Sequence, residues 1–324
     1  MNTPWTNAYL FCVCLACWGL GYSQSIGFPM QEEVRATPLW DTISPFLPGE
    51  TGIYLIGFFL MLGSALTVNQ TNYTLMLIRE RTLLPFLFYA FLTSTNPDLF
   101  PLKSTSIAVL CLTLALYQLL ASYHDPEARD RAFNSTLLLS MGSLFWVHIL
   151  WFIPVFWIGM YNFRNLTLRT FVASLLGILT VYWFVLGWCI WQEDLSAFTI
   201  PFTYLFQIHL FRIPDVEITG WIQIALVAVL TIVASINILT HEYENNLRTR
   251  QYLSFLILMA IWSFGLLFIS GQSSDESLMM ACVPVSILIA HFFISQQGKH
   301  VFWAFHLLIV LSIALAFIRI WNIL

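Results

Sequence analysis

Apolar runs of membrane-spanning length, separated by short polar links, fill this chain almost from end to end. A helix that crosses the hydrocarbon core needs about 20 mostly apolar residues. On that measure, segments are predicted at 8–24, 52–68, 82–95, 104–122, 135–163, 170–190, 219–240, 251–270, 277–295 and 301–322. The run 135–163 breaks near His148 and Pro154 and reads as two short helices forming a hairpin. The alternative is one long helix kinked at Pro154, which would send Arg164 and Arg169 to the opposite side. The hairpin gives about eleven helices, an all-α polytopic transmembrane bundle forming a single integral membrane domain over residues 1–324.

Three segments are short. The run 82–95 and each half of 135–163 hold about 14 residues, roughly 21 Å of helix against a hydrocarbon core of about 30 Å. Such helices are tolerated where their ends are covered by protein or line a water-filled cavity, because free backbone groups cannot face lipid.

The basic residues orient the bundle. Arg79, Arg81, Arg129, Arg131, Arg164, Arg169, Arg248, Arg250 and Lys299 all fall in links on one side, with only Arg35, Lys103, Arg212 and Arg319 on or near the other. Lys and Arg are retained in the cytoplasm during insertion. The expected location is therefore the bacterial inner membrane, with a cytoplasmic N-terminus, a first outer loop at 25–51 and a second at 191–218. The second carries an apolar stretch, Phe198 to Phe211, that reads as interfacial or re-entrant. All four glycosylation sequons, at Asn69, Asn72, Asn134 and Asn165, fall on the inner side, where glycans are not attached.

Composition agrees with a lipid environment: 59% of residues are hydrophobic, 9% are charged, and the mean hydropathy is +0.78, against about 25% charged residues in a soluble domain. A net charge of −4 without a basic face excludes a nucleic-acid partner. No glycine-rich phosphate loop is present, so no nucleotide-binding motif supports a nucleotide-driven pump. The cysteines Cys12, Cys14, Cys17, Cys111, Cys189 and Cys282 lie in apolar runs and read as small apolar residues; Cys12, Cys14 and Cys17 have no acidic or His neighbour to complete a metal site.

Candidate chemistry sits on the outer side. Glu32, Glu33 and Asp41 in the first outer loop could deprotonate an acceptor or hold a divalent metal ion, the one cofactor these residues suggest. The plain alternative is a solvated acidic loop. Arg35, Arg212, Arg319 and Lys103 are cations on the side where cations are disfavoured, suited to a lipid phosphate. Snorkelling, or a pairing such as Arg212 with Asp215, is the competing account. His148 and His291 within helices, and His209 and His306 in apolar surroundings, are functional candidates or histidines satisfied by a neighbouring carbonyl.

The stretches Asn72–Pro85, Phe133–Phe145, Arg164–Gly177 and Val283–Ala290 resemble an uncharacterised family of multi-pass membrane proteins typical of Bacteroidota. More loosely, the segment from Asn134 to Gly177 is similar to the core of the lipid-phosphate-sugar-dependent glycosyltransferases of the GT-C class. That resemblance implies a GT-C-like fold with an inside N-terminus, a catalytic acid in a long first outer loop, short helices around an outward cavity, and a polyprenyl-phosphate-linked sugar as donor. The chain departs from the pattern in that Glu32 and Glu33 lie several residues beyond the first helix rather than directly after it. The expected partners are membrane lipids, a polyprenyl-phosphate lipid among them, or another membrane protein. A non-catalytic assembly subunit and a lipid or small-molecule transporter are the alternatives, although internal repeats and mid-helix charges, which mark many transporters, are scarce.

Overall fold

The computed structural model describes residues 4–26, 38–99, 101–206, 218–241, 246–270, 274–296 and 298–321. Among them the chain is all helical: α1 (Pro4–Ser23), α2 (Pro38–Ile43), α3 (Glu50–Leu75), α4 (Leu84–Ser94), α5 (Ser104–Ala121), α6 (Arg129–Ser143), α7 (Phe152–Asn162), α8 (Leu168–Trp191), α9 (Ser196–Phe206), α10 (Ile218–Thr240), α11 (Leu247–Ser270), α12 (Ser274–Ser295) and α13 (Lys299–Ile320). Seven of these, α3, α5, α8, α10, α11, α12 and α13, are long and apolar enough to cross a membrane, which makes the chain a multi-pass membrane protein. Helices α2 and α9 lie in the two expected outer loops, and the remaining eleven correspond to the segments read from the apolar pattern.

Local chemistry sets the helix ends. Helix α3 continues past the expected 68 because Thr67 and Thr71 turn their hydroxyls back onto the carbonyls of Gly63 and Thr67 (2.8 Å each), hiding polar groups along the helix. It stops at Met76, which takes a left-handed conformation (φ 51°), while the Asn72 side chain accepts the Ile78 N–H (3.1 Å). Helix α4 then opens with Pro85 in its first turn, where no intrahelical N–H is needed. Thr167 and Thr170 form a reciprocal cap at the start of α8.

Long-range hydrogen bonds show which helix ends lie together. Trp18 Nε1 donates to Ser94 Oγ (3.1 Å) and the Tyr54 hydroxyl donates to the Gly21 carbonyl (2.9 Å), joining the ends of α1 and α4 to the start of α3. On the opposite side, the Tyr252 hydroxyl donates to the Leu120 carbonyl (2.8 Å) and Asn165 Nδ2 to Ser122 Oγ (2.5 Å), joining the end of α5 to the start of α11 and the link after α7. The basic links expected inside all belong to this second end. It is called the basic end below, and the other the far end.

The short helices are covered by protein. Helix α4 is buried along nearly its whole length, and α12 is buried at every residue from Glu276 to His291. These two form the centre, while α8, α10 and α13 present apolar faces outward, as helices against lipid do. The hairpin is present: α6 ends at Ser143 and α7 begins at Phe152, so the break includes His148 and stops just short of Pro154. Trp146 is extended there, a 3-10 turn follows at Val147–Trp151, and Pro154 sits harmlessly in the first turn of α7. Helix α6 packs tightly on α8: Thr136 Oγ1 donates to the Ser174 carbonyl (2.8 Å), and a Cβ at Gly177 would lie 2.5 Å from the Phe133 carbonyl oxygen. The hairpin tip is held by a hydrogen bond between Ser143 and Tyr182 (2.7 Å), and the Tyr182 ring packs on Phe198 and Phe202 of α9. Helix α9 thereby packs beside the irregular backbone at the tip.

Candidate functional site

A charged cluster forms at the far end from four separate parts of the chain. It begins with the turn after α4, where Asn96 Oδ1 accepts the Asp98 N–H (3.3 Å) and Pro97–Leu99 makes a single 3-10 turn. Gly57 of α3 fixes the position of this link, since a Cβ there would stand 1.8 Å from the Pro101 carbonyl oxygen. Only a residue without a side chain allows α3 so close to the loop backbone.

Arg319, in the last turn of α13, reaches into this link. Its Nη1 donates to Asn96 Oδ1 (2.7 Å) and to Gln223 Oε1 of α10 (3.2 Å), and its Nη2 pairs with the Asp98 carboxylate. The Arg319 side chain is only 5% exposed, whereas that of Asp98 is 34% exposed. Lys103, which precedes α5, pairs with Asp275 in the first turn of α12 (3.1 Å). Beside it, Glu276 is buried, and both acids sit where the amide end of α12 favours negative charge.

Burial pushes the Asp98 carboxyl above its ordinary value of 3.8, and the nearby Asp275 carboxylate pushes the same way; Arg319, through charge and hydrogen bond, and Lys103 oppose the rise without cancelling it. An ion pair usually lowers a carboxyl pKa. Here loss of water and a like-charged neighbour prevail, leaving a carboxylate with unusually high proton affinity beside a fixed guanidinium.

Of the residues singled out in the sequence, the structure brings Lys103 and Arg319 into this cluster and supplies each with a carboxylate partner. Asp41 falls on α2. Glu32, Glu33, Arg35, Arg212 and His209 lie outside the described residues. Asp98, Asp275, Asn96 and Gln223 were not singled out as site residues from the sequence. The Asn-Pro-Asp turn closing a helix too short to span was the available signal for Asp98; nothing local marks Gln223, which is polar on an otherwise apolar span.

The remaining candidates have plainer settings. His148 lies at the hairpin with its ring against Trp146 (5.4 Å), and His306 Nδ1 lies 2.9 Å from the Phe302 carbonyl oxygen. His291 lines a cavity at the basic end, so the polar cavity described here opens away from the expected donor-handling side. Cys14, Cys17, Cys189 and Cys282 are buried and Cys111 partly so, while Cys12 faces outward. Among the described residues, no group of three or more His, Cys, Asp or Glu is placed to hold a metal ion.

Comparison of the whole chain with protein-family models, curated proteins and solved structures finds no match.

Proposed function

We propose that the chain is a GT-C-like membrane protein that takes a sugar from a polyprenyl-phosphate carrier, or handles such a lipid, at the face opposite its basic links, which the charge rule makes periplasmic. The observation that supports this reading most is the guanidinium of Arg319, fixed at the far end by Asp98, Asn96 and Gln223. In a transfer from a lipid phosphate, negative charge grows on the departing phosphate. A pre-positioned cation at that point stabilises the transition state more than the bound donor. A guanidinium carries five N–H donors, so one holding three partners retains capacity for a phosphate oxygen, reached past the more exposed Asp98.

Arg35 and Arg212 join the phosphate-holding role in this proposal, while Glu32, Glu33 or Asp41 takes the acceptor proton or binds a divalent ion. The chain's similarity to GT-C cores in its short hairpin is an analogy of shape, and activity must be argued from residues. The test is transfer of radiolabelled sugar from a polyprenyl-phosphate donor in membranes of a deletion strain carrying the wild-type or variant gene. Wild type should restore transfer; Glu33→Gln and Arg212→Ala should not. Full restoration by both would remove these assignments.

A second reading has its own support: both far-end cations already have carboxylate partners, as expected of a purely structural lock in a non-catalytic assembly subunit. The double neutralisation Asp98→Asn with Arg319→Gln separates the two. A lock alone predicts a folded protein with undiminished cellular function, and a phosphate-holding role predicts a folded protein without transfer.

A further inference from the structure

At the basic end, a cavity of about 160 Å³ opens between the link after α3 and the last turns of α10 and α12. It is lined on its polar side by Arg79, Glu80, Asn237, His241, His291 and Ser295, with isoleucines behind them. A single water needs about 10–15 Å³ of such space, so the cavity admits a group of several non-hydrogen atoms, the size of a small polar headgroup.

The charges lining it are mixed. Arg79 and Glu80 are both exposed, and neither forms an ion pair or side-chain hydrogen bond among the described residues. Ser295 Oγ lies 3.3 Å from Nδ1 of the buried His291, and Asn237 Nδ2 lies 3.5 Å from Nδ1 of His241. Helices α10 and α12 both end here, and the carbonyl end of a helix favours positive charge.

We propose that this cavity binds a phosphodiester carrying an ammonium group, the headgroup chemistry of a zwitterionic phospholipid. Arg79 takes the phosphate through its planar fork of N–H donors, with the Asn237 amide and the Ser295 hydroxyl as further donors. Glu80 and the helix carbonyl ends take the ammonium. A phosphomonoester dianion is repelled by Glu80, and a headgroup lacking an ammonium leaves that carboxylate unmatched.

A lipid is favoured over a soluble phosphodiester by what adjoins the cavity. Helices α10 and α12, whose last turns line the cavity, are both of membrane-crossing length, so the cavity lies at the level where the headgroups of the adjoining lipid layer sit. A phospholipid whose headgroup enters the cavity keeps its acyl chains in the lipid layer beside these helices. The site is at the opposite end from the charged cluster and does not depend on the proposed transfer reaction.

The test is native mass spectrometry of the full chain in mild detergent with phosphatidylethanolamine, phosphatidylglycerol or soluble glycerophosphoethanolamine added. Wild type should retain one phosphatidylethanolamine in preference to phosphatidylglycerol. Arg79→Gln should lower that occupancy about fivefold, as loss of a charge-assisted phosphate contact does, while Arg169→Gln, on the same end but outside the cavity, leaves it unchanged. Glu80→Gln should raise phosphatidylglycerol to the level of phosphatidylethanolamine, a change of preference that misfolding does not produce. Unchanged occupancy in both Arg79→Gln and Asn237→Ala overturns the site. Displacement by glycerophosphoethanolamine at equal concentration overturns the lipid as its source.

Discussion

At the far end, Arg319 and Lys103 are each held by a carboxylate, and the polar atoms around Arg319 are drawn into one closed network. At the basic end, Arg79 and Glu80 stand next to each other in sequence and face a cavity. The difference teaches what burial demands. Arg319 is almost wholly enclosed and must be compensated within the protein, whereas Arg79 is exposed and can wait for an external partner. The first arrangement holds its cation in a fixed position, and the second leaves its charges exposed at the edge of a cavity.

Substitutions that attack the far-end network should have the largest effects. Gly57→Leu places a side chain where the Pro101 carbonyl stands, and displacing that link should cost about 3 kcal/mol or more, as severe overpacking does. The check is thermal unfolding in detergent, where the charged cluster and any sugar transfer should be lost together. Arg319→Ala takes the shared donor from Asn96, Gln223 and the one-third exposed Asp98 and should cost about 2 kcal/mol, below the range for a fully buried pair. Adding Asp98→Asn to it should recover part of that loss; no recovery would mean that the two residues are not energetically coupled.

Lys103→Ala should be milder, about 1 kcal/mol or less, because its pair with Asp275 is partly solvated. A pH series sharpens the contrast further. Asp98 has a raised carboxyl pKa in the folded chain, so its contribution to stability is present below the ordinary value and is lost as pH rises through the folded one. Asp98→Asn should remove that segment of the stability–pH curve, and a wild-type curve already flat over the same range would contradict the assignment. If Asp98 also accepts a proton in transfer, the rate should rise with pH over the same window. Arg79→Gln should change unfolding by no more than about 0.5 kcal/mol, as exposed substitutions do, while still lowering phosphatidylethanolamine occupancy about fivefold.

How much of this was legible in the sequence follows from what each feature depends on. The eleven apolar segments were readable because each is a local run whose length is dictated by the membrane, and the hairpin followed from length and from the placement of Arg164 and Arg169. The break includes His148 as expected, and only Pro154 was misleading, since it looks like a breaker yet is tolerated in a first turn. The Arg319 cluster was only half visible. Arg319 and Lys103 stood out as cations on the unfavoured side, but their partners lie more than 170 positions away in each case, at Asp98 and Asp275. No local pattern carries such pairings. Arg79 was read as a topology determinant, and only the convergence of α3, α10 and α12 shows that it lines a cavity.

Helix α12 carries Asp275 and Glu276 at one tip and His291 and Ser295 at the other, and is 89% buried along its membrane-length core. It acts as an axle running through the protein, gripped by neighbours on all sides. Pro284 lies within it, and a proline deprives the carbonyl four residues earlier, at Met280, of its helical N–H, lowering the resistance to bending there. Bending is therefore concentrated at one place in an otherwise stiff rod, between the tip that carries Asp275 and the tip that carries His291.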